Sequence, residues 1–110
     1  MIDANLLAAF LNSLKDPFLF ADTRHKVVYM NQAAARHFKE GEKLLGTSLL
    51  DCHNEQSNKM IVEILAAMEA GEEERLITDD EKNRIYMRAV RDAEGKLLGY
   101  FERYEPPVKK

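Results

Sequence analysis

The chain has 110 residues, 45% of them hydrophobic and 32% charged, with a net charge of −3 and a pI near 5.6. That length suits one domain, and the balance is too apolar for a disordered chain. Its Lys and Arg residues are scattered, so nucleic acid is excluded as the main partner, which would need clustered basic charge.

The opening, MIDANLLAAFLNSLKD, has no basic n-region and no continuous apolar stretch, so it does not read as a signal peptide. No run approaches the roughly 18 apolar residues of a membrane span, and a cytoplasmic protein without a membrane partner is expected. Ile2, Leu6, Leu7, Phe10, Leu11 and Leu14 recur at helical spacing and predict an amphipathic N-terminal helix within residues 1–15. Asp3 stands at its start and Pro17 beyond its end.

Two short apolar runs follow, PFLFAD and KVVYMN, separated by Thr23-Arg24-His25; they read as a β-hairpin. Neither run alternates cleanly between apolar and polar, which implies a sheet covered on both faces. His25 is expected in an exposed turn. NQAAARHF reads as a short helix with Asn31 as N-cap and His37 on its exposed side. After a segment broken by Gly41 and Gly46, a long helix is predicted from about Asn54 to Ala70, ended by Gly71. Then come three strands: EERLIT, the alternating RIYMRAVR, and KLLGYFERY, which Pro106-Pro107 terminates. The cluster Asp79-Asp80-Glu81 falls in a turn, where carboxylates are usually solvated. The order predicts an α+β fold in which the hairpin and the last three strands share one antiparallel sheet.

This order, with its punctuation, resembles a PAS domain, a small sensor module of signalling proteins, from about Leu6 to Tyr104. ADTRHKVVYMNQAAARHF is similar to the family's first hairpin and short helix. LLGTSLLD, AMEAGE and VRDAEGKLLGYF are similar to later segments, with Asp92, Gly95 and Gly99 in place. His25 stands where the family usually has glycine. The resemblance implies a five-stranded antiparallel sheet with helices packed on one face, a PAS core over residues 16–105 and a tail at 106–110. LLDCHNEQS also resembles PAS domains attached to hemerythrin-like domains, with Asn54 in place of that group's proline.

The candidate chemistry centres on Cys52-His53. A single cysteine excludes an internal disulfide and zinc sites built from several thiolates. Cys52 lies six residues after Gly46 rather than three, and no Arg-Phe-Leu-Gln run follows, so the flavin-reactive pattern of light-sensing relatives is not matched. A redox thiol at a helix start and a small buried hydrophobe both remain open for Cys52. For His53 the resemblance implies one metal role, axial ligation of heme. The alternative places it before the long helix, bonded to a backbone group, with Asn54 as the cap.

Further along, Met60, Ile61, Ile64, Leu65 and Met68 are expected to face Phe18, Phe20, Met30, Ile85, Met87 and Phe101. This apolar set forms either a packed core or a ligand cavity of the family's kind. The N-terminal stripe, through Leu7, Leu11 and Leu14, is expected to cover the outer sheet face or pair with a second copy in a homodimer. No nucleophile motif, phosphate loop or His/Glu metal spacing is present, so no catalysis is expected. The expectation is a sensor that binds a small ligand or cofactor and relays it through a dimer to a signalling output protein. Its alternative is a cofactor-free dimerisation or docking module. The chain ends soon after the last strand, so it is expected to act through another protein or as part of a longer one.

Overall fold

The computed structural model describes residues 3–108, except for the side chain of Cys52; Met1, Ile2, Lys109 and Lys110 lie outside the described residues. Helix α1 spans Ala4–Asn12, and Asp3 caps it by accepting the Leu6 N–H at 2.8 Å. The first hairpin forms strands β1, Leu19–Asp22, and β2, Val27–Met30. Helix α2, Gln32–His37, is capped by Asn31, whose side chain accepts the Ala34 N–H. Two 3-10 turns, Gly41–Leu44 and Leu49–Cys52, lead to helix α3, Glu55–Glu69. Strands β3, Glu74–Asp79, β4, Arg84–Arg91, and β5, Leu97–Glu105, complete the chain.

The five strands form one antiparallel sheet in the order β2-β1-β5-β4-β3. The C-terminal meander thus receives the N-terminal hairpin through β1–β5 pairing, with Phe20 opposite Phe101 and Asp22 opposite Gly99. Gly99 has φ 157°, and a Cβ built there would lie 2.1 Å from the Ala21 carbonyl oxygen. The β3 edge carries a register shift between Leu76 and Thr78.

Asn54 caps α3 by accepting the Ser57 N–H at 2.8 Å. At its other end the Gly71 N–H donates to Met68 O and the Glu72 N–H to Ala67 O, the paired bonds of a Schellman motif. Gly71 takes φ 119° there, a value a side chain would resist. The Arg91 guanidinium reaches across from β4 to the same helix end, donating to Met68 O and to Glu72 O just beyond it.

The core lies between α3 and one sheet face. Ile64 and Met68 are fully buried, and Ile61, Leu65, Met30, Met87, Ala89 and Tyr100 pack around them. Ala21 and Leu19 enter from β1, Leu44 and Leu49 from the two 3-10 turns.

Candidate functional site

The structure divides the expected apolar set between two sheet faces. Ile61, Ile64, Leu65 and Met68 join Met30 and Met87 in one buried cluster beneath α3, and Ile85 shares the core-facing parity of Met87 and Ala89. Phe18, Phe20 and Phe101 do not face α3. They lie on the outer face, where Phe20 and Phe101 are cross-strand partners and the Phe18 and Phe101 rings stand 5.6 Å apart. Met60 is 37% exposed, one helical position off the buried stripe. The expected grouping of Met60, Phe18, Phe20 and Phe101 with the core is corrected accordingly.

His53 flanks α3 and is exposed. Its Nδ1–H donates to the Leu49 carbonyl at 2.8 Å, a carbonyl being able only to accept. Beside it is a cleft of about 310 Å³ lined by Leu19, Phe38, Leu44, Leu49 and His53, with Lys39 and Glu40 at the rim. His37 is exposed, as expected, and its ring stands edge-on to Phe38 and Tyr104.

On the outer face, α1 and the sheet enclose an apolar groove of about 460 Å³. Leu7, Leu11, Phe18, Phe20, Tyr29, Val90 and Phe101 line it. Leu6, Leu7 and Phe10 remain largely exposed on α1, and Leu14 lies past the helix end. The other half of this face is ionic. Arg103 bonds Glu74 and Glu105, Arg84 pairs with Glu105 at 2.7 Å, and Arg88 approaches Glu74 at 3.6 Å. The Arg103 guanidinium also covers the Tyr86 ring at 4.2 Å. Its hydrogen bond to Glu74 holds that carboxyl below the usual range. The outer face is thus apolar where α1 crosses it and charge-paired elsewhere.

Three polar residues have roles in the structure that the sequence did not reveal. Asn31 is almost completely buried. Its Oδ1 accepts from the Phe18 and Ala34 N–H groups, and its Nδ2 donates to the carbonyls of Leu11 and Asp16. Glu102 shares the core-facing side of β5 with Tyr100. Burial raises its carboxyl above the ordinary value, against the opposing pull of His53, a 3.4 Å bond from the Tyr104 hydroxyl, and His37. His25 is not an exposed turn residue. It is 8% exposed at φ 65°, and its Nδ1 lies 2.8 Å from the Tyr100 hydroxyl.

The comparison that decides the family is a match to the PAS domain model over residues 7–104. This chain belongs to the PAS domain family. PAS domains are commonly signalling sensor modules, generally without catalysis, found in histidine kinases and similar proteins. The fold is shared with a C-terminal domain from Streptococcus mutans, at TM-score 0.79 and 19% identity over 98% of this chain and 87% of that one. It is also shared with the PAS domain of Bordetella pertussis BvgS, at TM-score 0.66 and 16% identity over 96% and 87%. The Aer2 receptor from Vibrio cholerae, described as a dual PAS-heme oxygen sensor, aligns at TM-score 0.55 and 18% identity over 80% and 90%. No curated protein sequence matches the chain.

Within this PAS domain no helix of the described residues is long and apolar enough to cross a membrane. Among the described residues no three His, Cys, Asp or Glu side chains are grouped to hold a metal ion.

Proposed function

We propose that this PAS domain is an interaction module of a signalling system that works as a homodimer through α1 and the outer sheet face. The groove between them carries this reading. Its lining is apolar on both walls, and α1 presents Leu6, Leu7 and Phe10 to solvent beside it. An exposed apolar surface of this kind marks an interface. Because helix and face belong to the same chain, two copies related by a two-fold axis would each cover the other. An output protein or further domain would then read the relative position of the two copies.

Light scattering of the intact chain is expected to give the mass of a dimer, and removal of residues 1–14 that of a monomer. Leu7→Glu provides the cleaner test, because Leu7 is half exposed and lies outside the buried core. Placing a charge in the groove should weaken association by at least about tenfold. An unchanged dimer in both variants would place the interface elsewhere.

The cleft beside His53 favours a second reading, a small-ligand sensor. Its apolar floor of leucines and Phe38 with a polar rim has the make-up of ligand sites, at the lower end of their ~300–1,000 Å³ range. Heme does not fit. A ring held by His53 between α3 and the sheet would displace Ile64, Met68, Met87 and Tyr100, none more than 1% exposed. Hemin added to the purified protein is therefore expected to give no Soret band that His53→Ala removes. A sharp band lost in that variant would restore the heme role.

A further inference from the structure

His25 joins three parts of the fold that are distant in sequence. Its N–H donates to the Asp22 carbonyl within the β1–β2 turn. Its carbonyl accepts the Leu49 N–H at 2.7 Å, fastening the start of the second 3-10 turn. Its ring is set edge-on to Tyr100 in the middle of β5, with Nδ1 2.8 Å from the hydroxyl. From Leu49 the connection continues, because Leu49 O accepts from His53 Nδ1 and Leu50 O accepts from Asn58 Nδ2 on α3.

We propose that His25 is a proton-operated latch, whose neutral ring holds the β1–β2 turn and the Leu49–Cys52 turn against β5 and whose protonated ring releases them. The backbone at φ 65° belongs to a region that a histidine adopts at some cost, so the buried contacts of the ring are what hold it there. A charged imidazole would be enclosed with a neutral phenol, and charge in such surroundings is disfavoured.

The groups facing the ring favour the neutral form. From β5 comes the Tyr100 hydroxyl, which burial pushes well above its ordinary range, so it stays protonated. From the 3-10 turn comes the Leu49 N–H, already committed to the His25 carbonyl. From its own turn comes Asp22, the one group that favours the cation, but its Oδ1 already accepts the Arg24 and Lys26 N–H groups. Burial outweighs Asp22, and the imidazole is held below its ordinary 6.5. The sign follows from linkage. Closure is fully supported above the open-state value near 6.5 and loses support as pH falls through the lower closed-state value.

The test is hydrogen exchange of the Leu49 amide, with its intrinsic pH dependence removed, together with an NMR titration of the His25 ring in the intact protein. Between about pH 7.5 and about pH 5, Leu49 protection is expected to fall severalfold, as the imidazole that burial keeps neutral takes up its proton. The His25 ring resonances and the Leu49 amide should move together, with a midpoint below that of a free histidine. His25→Asn keeps a residue that tolerates the left-handed region and should make Leu49 protection independent of pH. The proposal is overturned if His25 titrates while the Leu49 amide does not respond. It is equally overturned if His25→Asn retains the wild-type pH dependence.

Discussion

Gly99→Val is expected to destabilise the domain by about 3 kcal/mol or more, or to prevent folding, measured by urea unfolding with circular dichroism. A Cβ at this position would meet Ala21 O at 2.1 Å, the Phe20 ring at 2.8 Å and the Asp22 Cα at 2.9 Å. Two of those atoms are backbone of β1, so a side chain could be accommodated only by moving that strand off β5. The β1–β5 pairing is what attaches the hairpin to the meander, and without it the sheet falls into two pieces. Gly95→Ala is the control. It also has positive φ, but apart from its chain neighbours nothing lies within 4 Å of its added Cβ, so only the backbone cost of about 1 kcal/mol should appear. If both variants were equally mild, the close approach at Gly99 would not be holding the sheet together.

The second large effect is expected at Asn31. One side chain serves four backbone groups: it caps α2 through Ala34, receives Phe18 before β1, and supports the carbonyls of Leu11 and Asp16. Asn31→Ala leaves all four without that partner. Each buried polar group left unmade costs about 1–3 kcal/mol, and water can replace part of the loss at the half-buried positions. A net destabilisation of roughly 2–4 kcal/mol should follow. Asn31→Asp separates the two halves of the role. Its oxygens can still accept from Phe18 and Ala34, but the donors toward Leu11 and Asp16 are gone. Hydrogen exchange should then show α1 loosened while the first turn of α2 stays protected. Uniform loosening of both helices would mean that Asn31 acts as a single support.

The elements were legible in the sequence where local physics decides them. Asn54 and Gly71 bracket α3 because each supplies what a helix end lacks, a side-chain acceptor at one end and a left-handed residue at the other. RIYMRAVR could be assigned to two faces because it alternates. PFLFAD could not. With Leu19 and Ala21 in the core and Phe18 and Phe20 under α1, both parities are apolar and neither points inward by composition. That is why Phe20, and Phe101 opposite it, were placed on the wrong face. The absence of alternation did signal that something covers the second face at this hairpin, where α1 crosses Phe18 and Phe20. His25 was misread for a different reason. Its burial depends on Tyr100, 75 residues away, and a turn looks the same in sequence whether or not another strand closes over it. Asn31 was legible as a cap but not as a four-way junction, since three of its partners precede it and are brought near only by the hairpin.

The register shift at Leu76/Thr78 has a consequence for how copies of this chain can meet. The strand that carries it, β3, is one border of the sheet and bears Glu74, Arg75 and Asp79. A bulged, charged border is a poor template for a strand from another molecule. The opposite border, β2, is only four residues long. Open-ended growth by strand addition is therefore discouraged on both sides. The two-fold dimer proposed through the outer face would, by contrast, use up its surface in one step. Both borders of the sheet thus guard the chain against polymerisation by strand addition.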